Sequence, residues 1–251
     1  DQLDRIAYVS SSKHNDARSE LAGRLASVAP VDDASVFFSV SGSEANEAAM
    51  QLARSYQDAP TVLTRWRSYH GGTYATAGIT GDPGMRLDVE NHAATTGSVK
   101  FLPPFSGADQ PFDADSPEEL AERSADHLEY VIKNQGPDSI AALITEVVGG
   151  SCGAYTAPPG YFDRVRELCD EYDILLVADE VITGFGRCGE MFGCETEDLE
   201  PDMISFAKGV TSAYAPLAGV MMNDELGRYL RDKEPGVGQT FAGSPIACAA
   251  G

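Results

Sequence analysis

Lys208 carries the chemistry that is easiest to read in this chain. It follows the apolar run 203–207 directly, so it emerges from the end of a buried strand. An amine held there is desolvated, which lowers its pKa and suits it to act as a Schiff-base nucleophile or a proton carrier. Only five of the 18 basic residues are lysines, which argues against a chance surface lysine at this place. Asp179 ends a second apolar run, 174–178, where a bare carboxylate needs a cationic partner. A protonated pyridine nitrogen would serve, and a lysine amine with such a carboxylate is the signature of pyridoxal phosphate sites. Gly42 and Ser43 sit at a predicted helix start, where free N–H groups and the helix dipole favour an anion such as phosphate. Plain N-capping is the competing reading for a serine there.

Other patterns carry less. Gly184, Gly186 and Gly189 match the spacing of the dinucleotide fingerprint. The first of them lies well past the strand end near Ala178, and residues 190–201 hold a glycine and several acids. No helix N-terminus is therefore offered to a pyrophosphate, and a nicotinamide oxidoreductase rests on this match alone. There is no P-loop pattern. His70 either orients a cofactor or holds its own loop. Arg187 reads more as an ion-pair partner of nearby acids than as a ligand for a substrate carboxylate. Cys152 lacks a neighbouring base and reads as inert. The cysteines number five, and with His14, His70, His92 and His127 they form no zinc spacing. A reducing cytoplasm and no metal are the expectation.

Apolar runs and helical patterns alternate along the chain. Residues 15–28 carry Leu21, Leu25 and Val28 at helical spacing, and Pro30 ends the helix. A short β-rich run spans 34–40. Ser41 and Glu44 then have capping-box spacing, which opens a helix through about Tyr56. Strands are expected at 61–66, 98–102, 139–148, 174–178, 203–207 and 217–222. Ser116, Pro117 and Glu119 start a further helix, and 159–172 has a helix pattern. The glycine-, proline- and aspartate-rich stretch 81–115 reads as a surface excursion around the strand at 98–102. The run 246–251 reads as a helix cut short. Fully apolar strands separated by helices predict an α/β domain, with an open, mostly parallel sheet covered on both faces. Ligands bind beyond the carboxyl ends of such strands. Here those ends carry residues 41–43, Tyr69 and His70, Glu146, Asp179 and Glu180, and Lys208.

Composition limits the partners. A length of 251 residues provides ample core, and 43% hydrophobic content with 23% charged residues is globular. The formal net charge of −21 and pI near 4.4 repel phosphate backbones, so nucleic acid is not an expected partner. No apolar run is long enough to span a bilayer, and the polar, acidic start of residues 1–12 does not read as a signal peptide. An acidic surface with scarce lysine suits a protein that stays hydrated in concentrated salt.

Five segments together resemble the class III aminotransferases, fold-type I pyridoxal-phosphate enzymes that include the ω-amino-acid group. They are residues 41–47, 69–71, 179–187 and 206–212, with Thr240, Phe241 and Gly243 forming the fifth. The resemblance runs in order from about residue 15 to Gly251. It implies that Lys208 carries the cofactor as the internal aldimine and moves a proton during transfer. It implies that Asp179 pairs with the pyridinium nitrogen and that Gly42 and Ser43 bind the phosphate. Tyr69 would stack on one ring face and Val181 pack on the other. Thr240 resembles a threonine that reaches the phosphate from a neighbouring subunit, which implies a homodimer. The reaction implied is ping-pong transfer of an amino group from an amino acid or amine to a 2-oxo acid. Residues 1–251 would then be the cofactor-binding large domain, with further residues before Asp1 and a small domain after Gly251. An aminomutase or decarboxylase of the same fold would share Lys208 and Asp179, and a non-catalytic protein of this fold would leave Lys208 idle. Three departures bear on loop shape: residues 147–150 after Glu146 where proline is usual, Cys188 where threonine is common, and Ser244 where histidine often stands.

Overall fold

The computed structural model describes residues 1–90, 97–105, 110–233, 236 and 238–251. In chain order its first half holds α1 (Gln2–Arg5), α2 (Asp16–Val28), β1 (Ser35–Ser39), α3 (Gly42–Gln57), β2 (Thr61–Arg65), α4 (Tyr74–Ile79), α5 (Pro83–Glu90), β3 (Ser98–Phe101) and α6 (Pro117–Gln135). The second half holds β4 (Ile140–Thr145), β5 (Val148–Gly149), β6 (Tyr155–Thr156), α7 (Tyr161–Glu171), β7 (Leu175–Asp179), β8 (Met203–Phe206), β9 (Ala218–Met222), α8 (Asp224–Lys233) and α9 (Pro245–Ala250).

Local chemistry sets the helix starts. Asn15 caps α2 by accepting from the Arg18 N–H. At α3, Ser41 Oγ accepts from the Glu44 N–H while the Glu44 carboxylate accepts from the Ser41 N–H, a complete capping box. Ser116 caps α6, with Pro117 in its first turn.

The main sheet runs in the order β1-β9-β8-β7-β4-β2-β3. The pairs from β3 through β8 are parallel, and β9 runs antiparallel to both neighbours. Strands β2, β4, β7 and β8 are buried along their whole length, as a sheet covered on both faces requires. Alternate residues serve opposite faces. Leu143, Leu176 and Ile204 pack with Leu128 of α6 and Val165 of α7. Ala142, Val177 and Met203 pack with Ala49 and Leu52 of α3 on the other side. Mostly parallel strands with helices on both faces are what the apolar runs predicted.

The described residues of the stretch 81–115, expected as a surface excursion around one strand, hold a helix as well as β3. The helix is α5, begun by Asp82, whose carboxylate accepts from the Gly84 N–H and whose carbonyl accepts from Met85 and Arg86. Asp82-Pro83 is therefore a cap followed by a first-turn proline, although Asp-Pro-Gly reads equally as a turn. Residues 91–96 and 106–109 of that stretch lie outside the described residues. The short α4, after the glycine loop, also has no periodic signal in the sequence.

Candidate active site

The parallel strands deliver their carboxyl ends to one edge of the sheet. Asp179 is the last residue of β7 and pairs with Ser205 of the adjacent β8. Lys208 follows two residues beyond the end of β8. A cleft of about 420 Å³ lies over this edge, lined among others by Gly42, Ser43, Tyr69, Asp179, Val181 and Lys208. These six residues come from four separate stretches of chain, and the fold brings them into one cleft. Thr240 is not among the residues lining this cleft; it lies exposed in the turn before α9.

Lys208 sits at φ +41°, after an extended Ala207. A lysine rarely adopts this left-handed backbone, and the strain of about 1–3 kcal/mol persists where surrounding structure dictates it. The side chain stands in the open cleft and remains exposed. Even so, partial desolvation lowers the amine below the usual lysine range, and Arg187 pushes the same way, while Asp179 and Glu146 pull it back up. A lowered amine pKa enlarges the neutral fraction that can act as nucleophile or base.

Asp179 is almost fully buried, at 4% exposure. Its Oδ2 accepts from Asn46 Nδ2 at 2.8 Å and from His70 Nδ1 at 2.7 Å, and its Oδ1 accepts from the Val181 N–H at 3.1 Å. A carboxylate so fastened cannot swing away, and it presents a negative charge at the floor of the cleft. His70 thus does more than hold its loop. Its backbone N–H is anchored on Thr80 Oγ1 at 3.0 Å, its ring is bonded to Asp179, and its buried Nε2 has no protein partner among the described residues.

The N-terminus of α3 faces the same cleft. The first free N–H groups there belong to Gly42 and Ser43, because those of Glu44 and Ala45 are taken by Ser41. A side chain at Gly42 would place its Cβ 2.9 Å from Val181, so only glycine lets the backbone lie this close to the wall. Ser43 Oγ also accepts from the Gly72 N–H at 3.1 Å, tying the helix start to the Tyr69–Gly72 loop.

Glu146, just beyond β4, is buried and lines the cleft. Its Oε1 accepts from the Tyr69 N–H at 2.7 Å and its Oε2 from the Gly150 N–H at 3.1 Å, so it fixes the backbone of the aromatic residue. Burial pushes its carboxyl above the usual range, against the pull of His70 and Arg65. Arg65 is itself buried and donates to the Glu146 carbonyl at 2.6 Å.

Arg187 forms no ion pair with an acid among the described residues; its Nε donates to the Ile182 carbonyl at 2.7 Å. The expected acid pairing is therefore corrected. The chain turns tightly here, and the guanidinium bonds a carbonyl of its own loop instead. Residues 184–189 form turns rather than a helix start, with Phe185 and Gly186 donating back to the Met191 carbonyl. Phe185 packs on Phe192 and Phe206, so this glycine pattern shapes a packed loop. Cys152 donates to the Gly149 carbonyl, and burial pushes its thiol up, in keeping with an inert role. Ser244 has a local task, capping α9 through the Ala247 N–H. Gly149 allows close approach, since a Cβ there would lie 2.7 Å from Cys152 Sγ.

The parts fit pyridoxal phosphate. An amine stands in the cleft, a fastened carboxylate stands where a pyridinium can meet it, and free helix N–H groups can take a phosphate. The buried His70 Nε2 and Asn46 Oδ1 lack protein partners among the described residues, and both residues line the same space. Asn46 and Glu146 are contacts that the sequence motifs contain without declaring their roles. The one available signal for Asn46 is a polar residue on a helix face otherwise built of Ala45, Ala48, Ala49 and Met50.

Comparison with known proteins gives matches along the whole chain. The family model described as aminotransferase class-III matches residues 1–251. A probable aminotransferase of Mycobacterium tuberculosis is 41% identical over 240 residues, covering 92% of this chain and 51% of that protein. Gamma aminobutyrate transaminase 2 of Solanum lycopersicum is 36% identical over 233 residues, covering 85% and 48%. Among solved structures, the taurine:2-oxoglutarate aminotransferase of Bifidobacterium kashiwanohense, in complex with PLP and glutamate, superposes with a TM-score of 0.93 at 35% identity, covering 99% of this chain and 56% of that one. An (S)-enantioselective omega-transaminase from Thermomicrobium roseum gives 0.90 at 34% identity, covering 99% and 57%. The chain spans about half the length of the curated relatives it matches.

Proposed function

We propose that this chain, which belongs to the class III aminotransferases, binds pyridoxal phosphate and carries the transfer of an amino group from an amino acid or amine to a 2-oxo acid. The observation that supports this most is the meeting of Lys208 and Asp179, from adjacent strand ends, in the cleft under the N-terminus of α3. When bound, pyridoxal phosphate supplies an aldehyde that condenses with amines and a cationic ring that accepts the electron pair left when a substrate carbon loses its proton. Lys208 Nζ would hold the cofactor between turnovers and, once displaced by a substrate amine, take the proton from the substrate carbon and deliver it across the nitrogen to the carbon that was the cofactor's aldehyde. Asp179 would keep the ring nitrogen cationic by facing it with a carboxylate fixed through Asn46, His70 and the Val181 N–H. Gly42 and Ser43 would donate their N–H groups to the phosphate, and Tyr69 and Val181 would confine the ring between them. The same side chains then serve the return half of the reaction, in which a 2-oxo acid takes up the amino group.

A second copy of the chain is proposed to bring its Thr240 to the phosphate end. This is supported by the exposure of Thr240 and by its absence from the cleft of its own chain. The chemistry is tested by the visible spectrum of the purified protein supplied with pyridoxal phosphate, before and after adding a panel of amines. Loss of the band on amine addition, and its return with pyruvate or 2-oxoglutarate, is the expected result. Carbon dioxide release, or a rearranged amino acid with no dependence on a 2-oxo acid, would instead make it a decarboxylase or an aminomutase.

A further inference from the structure

Asn46 occupies a place where its chemistry has to be explained. It lies on the buried face of α3 at 1% exposure, among Ala45, Ala48, Ala49 and Met50. A small apolar residue would pack there without leaving amide groups to satisfy. Its Nδ2 donates to the His70 carbonyl and to Asp179 Oδ2, both at 2.8 Å. Both neighbours at that end are acceptors, so the amide has one workable orientation, and its Oδ1 stays unpaired among the described residues, in the cleft wall. A buried unpaired oxygen costs free energy, which the two donated bonds must offset. The residue therefore ties together three pieces of the site: the phosphate-facing helix, the Tyr69–Gly72 loop and the strand end that bears Asp179.

We propose that Asn46 is a positioning residue that fixes the rotation of the Asp179 carboxylate, so that Asp179 meets the ring nitrogen of pyridoxal phosphate in one geometry. This inference rests on the proposed function. With Asn46 removed, Oδ2 keeps only His70, and Oδ1 keeps only the Val181 N–H. With one bond left on each oxygen the carboxylate turns more readily about its Cβ–Cγ bond, and its contact with the ring nitrogen weakens. His70 also loses the bond to its backbone carbonyl, so two of the three groups that hold Asp179 are affected together.

The test uses Asn46→Ala and Asn46→Leu in the protein at its natural length. Alanine removes both donors with the least perturbation of packing, and leucine removes them while refilling the space. Three quantities are read: the dissociation constant for pyridoxal phosphate, the 15N resonance of ring-labelled bound cofactor, and the split between kcat and KM. Loss of the charge-assisted contact between Asp179 and the ring nitrogen predicts a dissociation constant raised about ten- to a hundredfold. The 15N resonance should move from the protonated toward the neutral pyridine position, and kcat should fall more than KM changes. A residue that merely fills space would leave the 15N resonance where it is. Unchanged affinity and an unchanged resonance in Asn46→Ala overturn the proposal, whatever the leucine variant does. A wild-type protein that takes up no pyridoxal phosphate overturns the proposed function itself, and this inference with it.

Discussion

Among single residues, the site works by opposing pulls on one amine. Desolvation and Arg187 lower the Lys208 pKa, while Asp179 and Glu146 raise it. The neutral amine is the form that captures an aldehyde, so the rate of pyridoxal phosphate capture by cofactor-free protein should rise with pH. Its midpoint should lie below 10.5, the ordinary lysine value. The two neighbours give opposite signs. Arg187→Ala removes a cation and should shift the midpoint upward; Glu146→Gln removes a carboxylate and should shift it downward. Stopped-flow absorbance across pH reads both, and shifts of the same sign in the two variants would contradict the electrostatic account. Lys208 and Asp179 were legible in the sequence because each stands at the end of an apolar run, and position alone exposes them. The partners of Asp179 were not. Asn46 and His70 reach it across 133 and 109 residues of chain, a proximity that no local spacing encodes.

Among the elements, two caps that look alike in sequence do different work. Ser41 and Ser116 both start long helices and both accept from the third residue onward. Either change to alanine should cost about 1 kcal/mol of stability. Only Ser41 borders the cleft, so Ser41→Ala should also weaken pyridoxal phosphate binding, while Ser116→Ala should leave it unchanged. Parallel thermal melts and cofactor titrations of the two variants check this, and equal affinities would deny α3 its proposed role. Strands and long helices could be read because apolar runs and caps are local signals. The reversed direction of β9 could not, since its run 217–222 is as apolar as those of its parallel neighbours. Likewise α5 begins on Asp82-Pro-Gly84, a sequence that suits a tight turn and a helix cap equally well.

Across the whole molecule, the charge of −21 surrounds a site that needs one available amine. Screening lengths shrink from about 10 Å at 0.1 M salt to about 3 Å at 1 M. We propose salt adaptation for this surface, so the melting temperature should rise between those concentrations as self-repulsion is screened. A melting temperature that falls over the same range would contradict it. A second copy supplying Thr240 predicts that Thr240→Ala raises the dissociation constant for pyridoxal phosphate about tenfold, the loss of one hydrogen bond to a charged group, although the residue lies outside its own chain's cleft. Fluorescence titration at a protein concentration that keeps the assembly intact measures this, and unchanged affinity would remove Thr240 from the site.

The proposed chemistry stands or falls with Lys208 as the amine that holds the cofactor. Borohydride reduction of the protein incubated with pyridoxal phosphate, followed by peptide mass mapping, reads that bond where it forms. The expected result is a phosphopyridoxyl mass on Lys208 and its absence in Lys208→Ala, which should also lose the visible band and all turnover. A label found on another lysine, or a Lys208→Ala protein that keeps the wild-type visible spectrum, would refute the assignment.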